Sequence, residues 1–454
     1  MVARDPASYT DPNGYVYWQD GRVYRRVHTA SHLKAVLAAF GDDPRLATAR
    51  VVSEDAQGLV LEHGRVAPAS YPQEWPAAML KDAATLVVEV ALAAAEKGFG
   101  LADGHPWNVF FDGPTPRFLD WGSFTPADPR LLWPAQAQFN RFLFYPLHLY
   151  AAGHAELARA RLADLALGVG PALALKTLPT AYRLTHPKAT LGLLANRAAE
   201  RLTETPRAGT APTATGDPAM LAKLRPGYFK GILRDVAAIR LPGPTGGWAA
   251  YYAACPSMER AQEDAKLRLM EQLLARFKPA TVLDLGANTG RFSLLAARAG
   301  ARVTALDQDD ASMALLYREA KAERLPILPL VLDLGNPTPA TGWCAAQRPN
   351  ALTRFASDMA LFLALIHHLV FTGNHSLEQV AQLARRVARR TAVVEWVGPQ
   401  DAMAKYLART ATKDFGFYTL ENLVAALEAQ GFAVEALAPH APDRRLLVCS
   451  CLPS

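Results

Sequence analysis

Apolar positions change their period several times along the chain, and each change predicts a different element. Gly14 to Val27, GYVYWQDGRVYRRV, alternates apolar and polar residues on either side of an Asp-Gly pair, which predicts a two-stranded hairpin with a tight turn. SHLKAVLAAFG, Ser31 to Gly41, has a serine to cap and a glycine to stop a short helix. RVVSEDAQGLVLEHGRV repeats the hairpin pattern, and Pro76 to Lys97 reads as one long helix. Thr203 to Pro226 has almost no large apolar residue and reads as a linker. LPGPTGG, Leu241 to Gly247, then precedes an aromatic trio, Trp248, Tyr251 and Tyr252, and a helix-like run to Phe277.

Thr281 to Asp284 is a short apolar strand, LGANTG a glycine-bearing turn, RFSLLAARAG a helix closed by Gly300, and ARVTALD a second strand ending in Asp307. Strand, glycine turn, helix and strand in that order form the opening βαβ unit of a doubly wound sheet. Such sheets bind ligands at the carboxyl ends of their strands, where Asp284, Gly286, Asn288, Gly290 and Asp307 stand. Glycines there let a ligand approach the backbone without a Cβ in the way.

Composition narrows the class. Half of the 454 residues are hydrophobic and a fifth charged, which excludes wholesale disorder. The most apolar stretches, Ala83 to Ala95 and Met359 to Phe371, fall short of the roughly 20 residues of a membrane span and contain Glu89, His367 and His368. The N-terminus has no apolar core to act as a signal peptide, so a soluble, cytoplasmic protein is expected. The four cysteines show no zinc spacing and are expected as reduced, buried thiols. Residues 1–205 carry 20 basic and 20 acidic side chains, so the net +6 lies entirely beyond them, too small a bias to argue for nucleic acid.

The acid before the first glycine of the turn is informative. It would repel a pyrophosphate but suits the cationic amino-acid end of S-adenosylmethionine (SAM). LDLGANTGRFS, Leu283 to Ser293, resembles the first motif of class I SAM-dependent methyltransferases. The rest of that pattern follows in order: LPLVLD ending at Asp333, a strand from Asp358 to Leu363, AVVEWV at Ala392 to Val397, a helix ending at Gly431, then AVEAL and RLLVCSCL. The resemblance implies an α/β, Rossmann-like seven-stranded sheet that ends in a reversed hairpin. It also implies that Asp284, Gly286, Ala287, Asn288, Thr289 and Gly290 hold the methionine part, Asp307 the ribose and Asp333 the adenine, with Gln308, Leu334 and Leu365 also binding the cofactor. NPTPATGW, LALIHHL and VVEWVGPQD, with SYPQEWPAAMLKDAATL and DGHPWNVFFDGPTPRFLDWGSF earlier in the chain, are similar to a bacterial group related to the nodulation protein NoeA.

Methyl transfer to nitrogen or oxygen can require a base, and His367 and His368 stand just beyond the fourth strand, where the methyl is expected, while Glu395 at the fifth strand is a catalytic candidate that would orient an acceptor amine or hydroxyl. Packing of one histidine against the cofactor is the plain alternative. A helix cap explains Asp401, beside Glu395, as well as a substrate role does. RRVARR, Arg385 to Arg390, is expected as a solvated helix face.

In the first part Asp103 and Asn108 stand five apart and Asp120 opens an Asp-Trp-Gly triplet. Protein kinases need one aspartate facing the attacking hydroxyl and an asparagine and a second aspartate on the metal ions. This part therefore resembles a kinase-like, two-lobed α+β domain, which implies ATP and magnesium, with Asn108 and Asp120 as metal ligands. It departs from the pattern in three ways: no Gly-rich phosphate loop, Leu101 at the position of the usual histidine, and no Glu on the Ser31 to Gly41 helix. A noncatalytic binding domain, an atypical phosphotransferase and a different fold with a chance spacing all remain open. The expected organisation is a kinase-like domain at 1–205, a linker at 206–227 and a methyltransferase domain at 228–454. A silent regulatory protein and a bifunctional kinase-methyltransferase are the alternatives. The acceptor is open among small molecule, glycan, protein and RNA, as is the oligomeric state.

Overall fold

The computed structural model describes residues 4–8, 11, 13–28, 32–204, 217–243, 257–409 and 414–452. They form two units, Met1–Gly243 and Pro244–Ser454. Trp248, Tyr251, Tyr252 and Cys255 lie outside the described residues. Among the described residues no helix is long and apolar enough to cross a membrane.

The first unit opens with β1 (Gly14–Gln19) and β2 (Arg22–Val27), joined by Asp20 and Gly21, both left-handed as a two-residue hairpin turn requires. Helix α1 (Leu33–Phe40) buries Leu33, Val36 and Phe40, which share one face at this spacing. A second hairpin, β3 (Ala49–Asp55) and β4 (Gly58–His63), completes an antiparallel sheet of order β1-β2-β4-β3. Helix α2 (Ala77–Glu96) follows. Two short strand pairs come next: β5 (Phe99–Leu101) with β8 (Phe124–Pro126), and β6 (Val109–Asp112) with β7 (Thr115–Phe118). The rest of the unit is helical: α3 (Gln136–Phe139), α4 (Tyr145–Ala151), α5 (Ala155–Leu162), α6 (Pro171–Thr177), α7 (Thr180–Thr185), α8 (Pro187–Glu204) and α9 (Pro218–Ala238). A π-helical turn at Asn140–Phe144 joins α3 to α4.

Helix α9 corrects the expected boundaries. Residues 218–227, expected in the linker, are helical, and residues 228–243, expected in the second domain, fall in the first unit. Phe229 and Val236, seven apart on one face, are buried, and α9 packs on α2. Arg225 is 8% exposed and donates to the carbonyls of Asp128 and Leu131, while Lys81 on α2 donates to the Ala237 and Ile239 carbonyls at the end of α9. A cation at the carboxyl end of a helix satisfies carbonyls that have no partner within it.

The second unit begins with α10 (Ser257–Phe277) and alternates strand and helix thereafter: β9 (Thr281–Leu285), α11 (Arg291–Arg298), β10 (Arg302–Asp307), α12 (Asp310–Glu323), β11 (Ile327–Val331), α13 (Ala351–Phe355), β12 (Ser357–Phe362), α14 (Ile366–Phe371), α15 (Leu377–Val387) and β13 (Ala388–Val397). Helices α16 (Ala402–Arg409) and α17 (Leu420–Ala429) and strands β14 (Phe432–Ala436) and β15 (Arg444–Cys451) complete it. The seven-stranded sheet has the order β11-β10-β9-β12-β13-β15-β14, with β15 antiparallel to both neighbours. The chain leaves β9 towards β10 and β11 and returns to its other side at β12. The crevice of a doubly wound sheet opens at such a reversal, here beyond the carboxyl end of β9. The central strands are covered on both faces, and β11 is buried throughout.

Two smaller expectations fail. Strand β13 begins at Ala388, so Arg385 and Arg386 close α15 while Arg389 and Arg390 stand on the strand; pairing with β12 and β15 overrides the helical charge spacing. Cys344 is exposed, unlike Cys449, which is buried.

Candidate functional site

The crevice at β9 is built from its own turn. Asp284 lies within β9, is 2% exposed and accepts a 2.6 Å hydrogen bond from the Ser293 hydroxyl on α11. Burial pushes its carboxyl up to about 6; the Ser293 bond offsets part of this, and the nearby Asp307 charge adds to it. Gly286 and Gly290 both have positive φ. A Cβ on Gly290 would run into Leu316, and one on Gly286 would stand 3.1 Å from Leu365, so the turn tolerates neither substitution. Asn288 is also left-handed, and its side chain accepts from the Thr289 amide at 2.6 Å.

Asp307, at the end of β10, fastens this turn to the sheet. Its Oδ2 accepts from the Asn288 amide at 2.8 Å and its Oδ1 from the Asp309 amide at 2.9 Å. Burial raises its pKa, and those amides pull against the rise. Asp333 stands further out, its Oδ1 accepting from the Gly335 amide at 2.8 Å in a local turn. The expected cofactor residues thus gather at the carboxyl ends of β9, β10 and β11, with Leu365 across the turn from Gly286.

Beyond β12 and β13 the geometry departs from expectation. Glu395 is fully buried, and four donors surround it: the Ala364 amide at 2.7 Å, Lys266 Nζ at 3.2 Å, His440 Nε2 at 3.1 Å and Arg444 Nη1 at 3.6 Å. Burial alone would raise this carboxyl, but Lys266, His440 and Arg444 outweigh it and hold it well below the usual carboxylate range. Glu395, expected to orient an acceptor amine or hydroxyl, is enclosed by these donors as an internal counter-ion. Arg444 also donates to Asp401 at 2.8 Å, so Asp401 belongs to the same network while its Oδ1 accepts from Met403 at the start of α16.

His367 is 1% exposed, and burial, with His368 and Arg444 nearby, pushes its imidazole down to about 3. Burial and Arg444 lower His368 as well. Both rings are neutral at pH 7, in T-free, tilted contact at 4.4 Å between centroids. His440, on the loop between β14 and β15, was not among the expected residues. A carboxylate only accepts, so the ring nitrogen facing Glu395 carries a proton. The other, Nδ1, is buried and has no hydrogen-bond partner. Lys266 and Glu395 are 129 positions apart, and His440 and Glu395 45, so no local spacing announces the network.

In the first unit Asp120 accepts from the Gly122 amide at 3.0 Å and is ion-paired with Arg25 of β2, whose other nitrogen reaches Asp11 at 2.7 Å. His63 lies beside this pair; burial and the Arg25 charge push it down to about 4. Asn108 Nδ2 is buried without a partner, and Asp103 takes a 3.4 Å bond from Gln138. This arrangement does not fit magnesium. The carboxylate expected to ligate it already faces a guanidinium, and among the described residues no three His, Cys, Asp or Glu side chains gather as a metal site.

Comparison with known proteins bears on the second unit. Residues 269–338, which include the whole β9 turn and Asp307, match the family model described as tellurite resistance protein TehB. The seven-stranded sheet has its reversal at that same turn. The second unit is methyltransferase-like. The chain is 28% identical to nodulation protein NoeA of Rhizobium meliloti (strain 1021), across 95% of this chain and 92% of that protein. Among solved structures, magnesium protoporphyrin IX methyltransferase of Synechocystis PCC 6803 with bound SAM aligns over 45% of this chain and 88% of its own, at 14% identity and a TM-score of 0.31. The bifunctional kinase-methyltransferase WbdD aligns over 42% of this chain and 39% of its own, at 18% identity and a TM-score of 0.29.

Proposed function

We propose that the protein is a SAM-dependent methyltransferase whose first unit is a kinase-like module that binds the acceptor without transferring phosphate. The observation that carries the first half is Asp284: a buried carboxylate whose charge is disfavoured has most to gain from an arriving cation. The ammonium of a methionine moiety supplies that cation. The positive-φ glycines Gly286 and Gly290 shape the turn beside it, the Asp307 carboxylate at the end of β10 would accept from ribose hydroxyls, and Asp333 would stand at the adenine, with Gln308, Leu334 and Leu365 also along the cofactor.

When bound, SAM supplies a methyl group on a sulfonium, and the protein's task is to bring the acceptor to it in a water-poor pocket. His440 Nδ1 takes the acceptor proton, with Glu395 fixing the tautomer through Nε2 and stabilising the charge that forms. The Arg25–Asp120 pair supports the noncatalytic reading of the first unit, because it occupies the expected metal ligand.

Calorimetric titration of the full chain with SAM and with S-adenosylhomocysteine is expected to show one saturable site for each, lost in Asp284→Ala. Unchanged affinity in that variant removes the assignment. Product analysis with methyl-labelled SAM and candidate acceptors then reads out transfer, and labelled ATP is expected to give none.

A further inference from the structure

A cavity of about 400 Å³ opens among the helices of the first unit, between the π-helical turn at Asn140–Phe144 and helices α4, α8 and α9. Cavities of this size hold drug-sized molecules. Its walls are largely aromatic and aliphatic, with Phe139, Phe144, Tyr145 and Leu193 among them. Phe144 stands edge-on to the His148 ring, with centroids 4.6 Å apart. A π-turn displaces side chains from the regular helical stripe and recurs at functional sites; here it brings both Asn140 and Phe144 to the lining.

His148 is 3% exposed and also lines the cavity. Its Nδ1 is bonded to the Tyr182 hydroxyl at 2.8 Å, which leaves Nε2 buried and without a partner. A buried polar atom left unsatisfied is costly, and native proteins usually explain one by a water or a ligand. Burial pushes this imidazole down to about 4, so the ring is neutral. The lining's only salt-bridged pair, Lys188 with Asp235 at 2.6 Å, is already matched and lies at its solvent side. Nothing in the lining asks for a charged ligand. Either tautomer of His148 is met by a hydroxyl, which both donates and accepts.

We propose that this cavity binds an uncharged, ring-bearing small molecule whose hydroxyl group pairs with His148 Nε2 while its rings pack between Phe144, Tyr145 and Leu193. The site is separate from methyl transfer and stands or falls on binding alone.

The test uses the full chain and 2-naphthol as probe, followed by saturation-transfer NMR and by quenching of protein fluorescence. Wild type is expected to saturate at one site. Gly192, on α8 at the lining, has nothing within 4 Å of a Cβ position, so Gly192→Leu adds bulk without a clash and is expected to abolish binding while the thermal melt is kept. His148→Phe is expected to weaken 2-naphthol about tenfold, the effect of one lost hydrogen bond, and to leave naphthalene binding unchanged. No saturation in wild type, or equal 2-naphthol affinity in wild type and Gly192→Leu, overturns the site. Equal affinity in wild type and His148→Phe overturns the role of the hydroxyl.

Discussion

Asp120, just past β7 in the first unit, and Asp284, within β9 in the second, are both largely withdrawn from water, yet their surroundings are opposite. Asp120 faces a guanidinium from its own chain, itself held by Asp11. Asp284 faces a serine hydroxyl and another carboxylate, and its ionisation is disfavoured. A buried charge that already has its counter-ion gains little from an external cation. One without it stores part of the binding free energy in the empty protein. Glu395 shows that the second unit is able to neutralise a buried carboxylate internally, with Lys266 and Arg444, whereas at Asp284 the charge of Lys266 offsets only part of the effect of burial.

The comparison can be broken most severely at Glu395. Glu395→Ala takes the carboxylate from the buried Lys266 ammonium and is expected to destabilise the second unit by about 3 to 5 kcal/mol, read by urea unfolding. Asp284→Asn is expected to have opposite effects on its two readouts. SAM affinity falls by about 100-fold, or roughly 2.7 kcal/mol, while the unliganded protein becomes more stable by about 1 to 2 kcal/mol at pH 7.5. The sign follows from linkage: a carboxyl raised from 3.8 to about 6 contributes stability that is fully present below 3.8 and lost as pH rises through about 6, so the gain of the variant should shrink across that window and vanish only below 3.8.

Arg25→Ala is expected to cost about 2 kcal/mol and to create what the wild type lacks. Magnesium at millimolar concentration should leave the wild-type melting temperature unchanged and raise that of the variant by about 1 °C or more. Acidification gives the smallest effect per group. His63 and His148 are held down to about 4 and His367 to about 3, so each stays neutral in the fold while it charges in the unfolded chain below its ordinary value near 6.5. Stability should therefore fall between pH 7 and pH 5, by roughly 1 kcal/mol per histidine. Replacing His63 with Phe should flatten the loss in the first unit only.

Local pattern carried the second unit's strands and its glycine turn into view, because β9, the glycines and β10 are contiguous and each has its own period or backbone requirement. Asp284, Gly286, Gly290 and Asp307 were legible for that reason. Glu395 was visible as a residue and misread as to role, since its partners come from α10 and the β14–β15 loop. Lys266 and His440 had no sequence signal at all: a lysine on an amphipathic helix and a histidine in a polar loop are ordinary until a fold buries them together. Helix α9 was hidden by composition. Its Pro226 and small residues imitate a linker, and only packing on α2 makes Phe229 and Val236 core positions.

Lys266 also sets where the second unit can be cut. A fragment that begins at the first strand, or at residue 269 where the family match starts, keeps every expected cofactor residue but discards the ammonium that neutralises Glu395. Such a piece would express as an apparently complete sheet carrying one buried negative charge with only Arg444 and His440 beside it. The shortest autonomous version of this unit is therefore defined by an ion pair reaching back into the preceding helix, and dissection, domain grafting or fusion should preserve α10 as part of the folded body.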